Sequence, residues 1–352
     1  MPDYPEMNSE LPQQAAVGDE NIPAARTAYS LSFLHLAIYA LAGFLLTNGL
    51  VALLGVTGVY QKLSLNWKYI VQFAPMYLIA FPIYLLISRK METHAPEKQH
   101  MNVGQIILAF FCCETISVAC NYIGIIVNAI LTRILGVQTS SDFIEEGVFG
   151  ESNILFGCLA VIFAPFIEEM LFRKVLIDRV RKYGDKAAIL LSGIMFGLFH
   201  GNFTQFFYAA ALGMFFAFIY VRTGRVRYTI TLHMMMNSVG TVVPMIFGKY
   251  LKRLDELSEL LENNDISGTM QLLGEIKPLL IFVICMWAVI ITGFVLLIVF
   301  RKRFRVNPPA APLPKGKRFT TACVNVGCIL FVLFCIGEFI LQIMQNIPNS
   351  QE

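Results

Sequence analysis

Charge is scarce in this 352-residue chain. Asp, Glu, Lys and Arg together supply 14% of it, against 56% hydrophobic residues and a mean hydropathy of +0.63. A water-soluble core cannot absorb that much apolar surface, which excludes an ordinary soluble domain. Net charge is only +3, and the basic residues fall in short clusters between apolar runs rather than along one stripe, so nucleic acid is excluded as a partner. The eight cysteines include no CxxC pair, and all lie in apolar stretches, where they read as small buried hydrophobes. Cys112 and Cys113 are adjacent, but neighbouring helical side chains point about 100° apart, which disfavours a shared metal or redox site. HExxH is missing, so zincin chemistry is excluded. Internal repeats and low-complexity segments are missing too. The polar, acidic start lacks the basic stretch of a secretory signal, and residues 1–30 read as a retained, disordered cytoplasmic tail.

What fills the chain instead is long apolar runs. Crossing the hydrocarbon takes about 20 apolar residues as helix. Hydropathy places candidates at 31–56, 69–88, 104–132, 153–172, 187–204, 205–221, 229–247, 278–300 and 319–345. The expected fold is all-α, a polytopic transmembrane bundle of about nine spans, eight to ten. Its divisions are N-terminal helices over 31–152, a core of four helices over 153–247, an extracytoplasmic amphipathic loop over 248–277, C-terminal helices over 278–345 and a tail over 346–352. Lys and Arg gather in the loops from Arg89 to Lys98, Arg173 to Lys186, Arg222 to Arg227 and Arg301 to Arg318, all on one side of such a bundle. Basic loops stay cytoplasmic, while Asp142 to Glu151 and Asp255 to Glu275 fall on the other side, so the N-terminus is expected in the cytoplasm. Size and apolar content suit a bacterial plasma membrane.

An ionisable side chain inside a membrane helix is costly unless paired or open to water, so each is a site candidate. The fourth span holds Glu168 and Glu169 followed by Arg173, the fifth His200, the seventh His233 and Asn237. Glu169 and Arg173 are four apart with the acid N-terminal, the favourable order for an ion pair on one helix face. Glu168 is then left facing elsewhere, available as a general base that takes a proton from water and returns it. His233 and Asn237 are also four apart and project from one face, able to ligate a metal or to donate hydrogen bonds to an oxyanion. Phe196 stands one turn before His200 and can hold its ring; Pro165 removes a backbone donor and kinks the helix beside the acids.

These same residues carry a family resemblance. Glu168 to Arg173 resembles the EExxxR motif of the CAAX-protease and bacteriocin-processing (CPBP) family of intramembrane proteases, Phe196 to His200 its FxxxH motif and His233 to Asn237 its HxxxN motif. The three occur in order on separate spans, and the match covers about 155–245. The resemblance implies a membrane endopeptidase whose catalytic core is 153–247 and whose catalytic residues are Glu168, Glu169, Arg173, His200, His233 and Asn237. Glu168 would activate water against a peptide bond of a prenylated, leader or membrane-associated peptide. In one version Glu168, His200, His233 and Asn237 bind a divalent metal, zinc by its donor set. In the other Glu168 with His200 activates water, and His233 with Asn237 stabilises the oxyanion. Membrane lipid and a peptide or protein substrate are the expected partners.

Other readings compete. A transporter would use the buried acids and histidines as an ion relay, but predicts two similar halves, which the chain lacks. A catalytically idle scaffold or immunity protein would keep the same residues for packing. Taken singly, the acid pair reads as an interfacial anchor and the histidines as interhelical glue; Glu114 and Glu338 read as structural. The spans also contain a conflict: Glu169 lies about four residues from the basic end of its span, and His200 over a dozen from its own. At 1.5 Å per residue that is a mismatch on the order of 10 Å. A fifth helix that begins late, with Arg179 to Ala188 above the membrane, is the expected resolution.

Overall fold

The computed structural model describes residues 18–135, 153–251 and 253–345. The acidic segment 142–151, the tail 346–352 and most of the N-terminal tail lie outside the described residues. Most of the described chain is helical. In chain order the principal helices are α1 (Asn21–Val56), α2 (Leu65–Ser88), α3 (Val103–Leu135), α4 (Ile154–Tyr183), α5 (Asp185–Phe199), α6 (Phe203–Thr223), α7 (Val226–Leu251), α8 (Leu254–Glu262), α9 (Ile266–Glu275), α10 (Lys277–Val299) and α11 (Val326–Gln345). Among the described residues eight helices are long and apolar enough to cross a membrane: α1 to α4, α6, α7, α10 and α11. The one of the expected nine spans that falls short is the fifth, α5, whose fifteen residues reach about 22 Å, less than the hydrocarbon thickness of about 30 Å.

Two boundaries correct the sequence reading. Residues 21–30 are not part of a disordered tail but the first turns of α1, because Ala25 and Tyr29 continue the buried stripe of Phe33, Leu36 and Ala40. Tyr29 packs there on Tyr183, ring centroids 6.1 Å apart. The second correction removes the depth conflict. The helix bearing the acid pair does not end near 172 but runs to Tyr183, turns at Gly184 and returns as α5. Glu169 therefore stands fourteen residues before the turn region at Tyr183 and His200 fifteen after Asp185, which puts them level. The basic residues that hydropathy reads as a loop are helical and held by the protein. Lys174 pairs with Asp178 at 2.6 Å, Tyr220 donates to the same carboxylate at 2.6 Å, and Arg179 donates to the Ser88 carbonyl at 2.5 Å. A strap of extended chain crosses this end: His94 N–H donates to Asp178 at 2.6 Å and Gln99 N–H to Thr223 at 2.8 Å.

The core sits where α1, α2, α4, α5 and α11 meet, with a second apolar cluster among α3, α6 and α7. Between α5 and α6 the contact is made by glycine. A Cβ on Gly197 would stand 2.7 Å from both the Ala210 Cβ and the Phe206 carbonyl oxygen, and one on Gly213 would stand 2.9 Å from Gly193. Small residues four apart let membrane helices approach to backbone contact, and Gly193 and Gly197 have that spacing. At the far end of the hairpin Gly201 takes φ +65°, a left-handed turn that reverses the chain directly after His200. Asn202 then caps α6 by accepting the Gln205 N–H at 2.8 Å. Opposite the basic end, the amphipathic pair α8 and α9 is pinned by Arg253, which pairs with Glu256 and Glu275.

Candidate active site

The acid pair occupies an irregular stretch of α4. A π-helical turn covers Leu159–Phe163 and another Met170–Val175, with six α-helical residues from Ala164 to Glu169 between them. Single π turns inside helices redirect the side chains that follow. Pro165 explains the first. It has no N–H to give to the carbonyl five residues earlier, that of Ala160, and the Asn237 amide supplies the missing donor at 2.8 Å.

The two glutamates, adjacent in sequence, have different surroundings. Glu169 is fully buried. Its Oε2 faces Arg173 Nε at 3.1 Å, in a geometry that makes an ion pair rather than a hydrogen bond, and its Oε1 accepts from His233 Nδ1 at 3.0 Å. The Thr229 hydroxyl sits against the same carboxylate. Arg173 is equally enclosed: its guanidinium lies 4.4 Å from the centroid of Phe196 and 5.5 Å from that of Phe216, and it donates to the Gly213 carbonyl at 3.4 Å. A planar cation between two aromatic faces is held in place as well as neutralised. Glu168 meets this network only at its edge. Its side chain keeps 19% exposure, and its Oε2 stands 3.6 Å from His233 Nε2.

Hydrogen bonding also settles the form of the imidazoles. His200 Nδ1 lies 2.8 Å from the Phe196 carbonyl oxygen, which can only accept, so Nδ1 carries the hydrogen and Nε2 presents its lone pair. The ring stands edge-on to Phe196, centroids 4.8 Å apart. His233 donates from Nδ1 to Glu169 and turns its Nε2 to Glu168, with Phe196 at 5.6 Å and Phe216 at 5.5 Å against its ring. The structure thus brings Glu168, Glu169, Arg173, His200 and His233 into one cluster. Asn237 lies one turn on, and its Nδ2 serves the backbone of α4, which limits the oxyanion-donor role considered for it.

The proposed metal set fits less well. Among the described residues no group of three or more His, Cys, Asp or Glu stands close enough together to hold an ion. Of the four residues, His233 Nε2 and Glu168 Oε2 face each other at 3.6 Å. Residues that the motifs do not contain also reach the site. Thr229 touches Glu169, and the hydroxyls of Tyr39 on α1 and Tyr77 on α2 lie within electrostatic reach of Glu168. No pattern of polar spacing singles out a tyrosine among the many aromatic residues of these spans.

Comparison with known proteins agrees with the motif placement. Residues 150–239 match the family described as type II CAAX prenyl endopeptidase Rce1-like. The putative membrane peptidase YdiL of Bacillus subtilis (strain 168) is 33% identical over 123 residues, 31% of this chain and 50% of that protein. The membrane-embedded CAAX protease MroQ of Staphylococcus aureus (strain USA300) is 26% identical over 190 residues, 51% of this chain and 76% of that protein. The chain thus spans about half the length of the first relative and about three quarters of the second. No solved structure matches it. Residues 150–239 of this multi-pass helical protein, the segment holding Glu168, Glu169, Arg173, His200, His233 and Asn237, are thus similar to the Rce1-like CAAX endopeptidases.

Proposed function

We propose that the protein is an intramembrane endopeptidase in which Glu168 activates water against a peptide bond of a membrane-associated, prenylated or leader peptide. The observation that carries this reading is the division of labour between adjacent acids. Glu169 is neutralised by Arg173 and His233, while Glu168 is left partly exposed beside His233 Nε2. A carboxylate already committed to an arginine has no basicity to offer; a free one does.

In this mechanism the Glu168 carboxylate takes one proton from water as the water oxygen bonds to the scissile carbonyl carbon. The C–O π pair moves to oxygen. When the tetrahedral adduct collapses, the C–N bond breaks and Glu168 returns the proton to the leaving amine. His200, with its Nε2 lone pair free, accepts a hydrogen bond from the same water, and His233 is held by Glu169 so that its Nε2 faces Glu168. Arg173 and Glu169 do not touch the substrate; they orient His233. No step is routed through a metal, and the alternative in which zinc supplies Lewis acidity to the same water is left to a chelation experiment.

The test is cleavage of a membrane-anchored peptide library by detergent-purified protein, in parallel for wild type, Glu168→Ala and His233→Ala. Cleavage by wild type that falls by at least about 1,000-fold in Glu168→Ala is the expected result, since removing a catalytic general base together with its water leaves little. Chelator sensitivity reversed by zinc would assign the metal version. Cleavage by Glu168→Ala at the wild-type rate, or none by folded wild type, would overturn the reading.

A further inference from the structure

The basic end of the molecule holds a cleft that the acid cluster does not use. Its walls are the start of α3, the last turns of α6 and the basic segment that follows α10, and about 540 Å³ of space lies within it, the open mouth included. Phe215 lines the cleft, whereas the next residue, Phe216, packs on His233 at 5.5 Å. Neighbours on a helix point about 100° apart, so the cleft and the acid cluster meet different faces of α6.

The lining has two chemically different parts. Ala109, Phe215, Phe218 and Phe304 make it apolar. Phe304 rests on Phe218 at 5.2 Å and on Phe215 at 6.3 Å, which folds the segment after α10 back onto α6, and Arg222 ties it there by donating to the Arg305 carbonyl at 3.4 Å. Arg222 and Arg303 supply the other part, two guanidiniums on one cleft, and no Asp or Glu is among the described residues that line it. Arg301, Lys302 and Arg305 flank Arg303 on the exposed side. Two like charges sharing an apolar cleft gain from an anion between them, and a guanidinium forks onto phosphate oxygens. A free anion would leave the phenylalanine wall wet; a neutral apolar chain would leave the arginines unmatched. An anionic phospholipid satisfies both parts, and basic pockets between membrane helices have the chemistry to take its headgroup. Its acyl chains are at hand, because α10 is almost uncovered by protein, with 6% of its apolar window buried.

We propose that this cleft binds one anionic phospholipid, its phosphate on Arg222 and Arg303 and an acyl chain along Phe215, Phe218 and Phe304. The site does not depend on the endopeptidase reading. Bound there, the lipid clamps the segment after α10 against α6, the helix whose Gly213 carbonyl and Phe216 ring hold Arg173.

The experiment takes the full chain, delipidated in a neutral detergent, and adds phosphatidylglycerol, phosphatidylcholine with the same acyl chains, or glycerol 3-phosphate. Native mass spectrometry counts the lipid bound, and thermal unfolding reads its effect. Phosphatidylglycerol should bind once per chain and raise the unfolding temperature, as a ligand of the folded state does, and the other two should do neither. Arg222→Gln with Arg303→Gln should weaken its binding by at least about tenfold, through loss of two charge-assisted contacts. Arg301→Gln with Lys302→Gln removes the same charge beside the cleft and should weaken binding less, most clearly at high salt, which screens exposed charges more than enclosed ones. Arg303→Gln alone, at an exposed position, keeps the test decisive if the cleft double variant does not fold. Equal weakening by the two double variants would reduce the effect to diffuse attraction and overturn the site. Equal binding of phosphatidylcholine would do the same, and glycerol 3-phosphate acting as well as the lipid would give the cleft to a free phosphate. Cleft variants that keep phosphatidylglycerol but lose cleavage of the peptide library would give it to the peptide instead.

Discussion

Arg173 shows how much of this candidate site is organised by a residue wholly enclosed by protein. The guanidinium is fully buried, paired with Glu169 at 3.1 Å and flanked by Phe196 and Phe216. Removing one partner of such a pair strands the other as an uncompensated charge, at a cost of about 3–5 kcal/mol, whereas removing both is far milder. Arg173→Met alone should therefore lower the unfolding temperature in detergent sharply. The double variant Arg173→Met with Glu169→Gln should be more stable than Arg173→Met by itself, though still impaired in cleavage, because His233 loses the carboxylate that holds its ring. A double variant less stable than either single one would show that the pair contributes net stability rather than orientation. Arg173→Lys keeps the charge but not the planar face between the two rings, and should fall between wild type and Arg173→Met.

At the scale of elements, the hairpin of α5 and α6 is where packing decides whether His200 reaches the site. A methyl group on Gly197 has no room, with Ala210 Cβ and Phe206 O both 2.7 Å from where it would sit, three residues before the histidine. Gly240 on α7 has nothing within 4 Å of the same position. In an open helix, replacing glycine by alanine gains roughly 0.5–1 kcal/mol, while overpacking costs about 1–3 kcal/mol. Gly197→Ala should thus lower both thermal stability and cleavage, and Gly240→Ala should leave stability level or raised; equal shifts in the two variants would refute the close-packed account. These glycines mark a limit of the sequence reading. The pairing of Glu169 with Arg173 and of Phe196 with His200 was legible because it is helical spacing within one element. The length of α4 was not, since hydropathy ends a span where charge begins, and it cannot know that Asp178 and Arg179 are satisfied by Tyr220 and Ser88. Nor could it place Asn237, whose amide completes a backbone interrupted by Pro165.

The whole molecule has two chemically distinct ends. At one, the strap His94 to Asn102 lies against the α4–α5 turn and the α6–α7 junction, and the basic segment Arg301 to Arg318 closes the same face: Ala311 N–H donates to the Lys182 carbonyl at 2.9 Å, and Arg222 to that of Arg305 at 3.4 Å. At the other, the α8–α9 hairpin carries Asp255, Glu256, Glu259 and Glu262 on its first helix. We propose that the basic end is cytoplasmic, since short loops rich in Lys and Arg are retained on that side whatever the acids do. A substituted-cysteine experiment decides it. In intact spheroplasts, a membrane-impermeant maleimide should label Ser258→Cys, exposed on the acidic hairpin, and should label Lys317→Cys, exposed on the basic face, only after permeabilisation. The unsubstituted chain is the control for Cys285, which is exposed on lipid-facing α10. The opposite labelling order would invert the protein in its membrane. It would also move the strap and the α4–α5 turn, from which Glu168 and His200 are equally deep, to the outer surface, and with them the side from which a peptide approaches the acids.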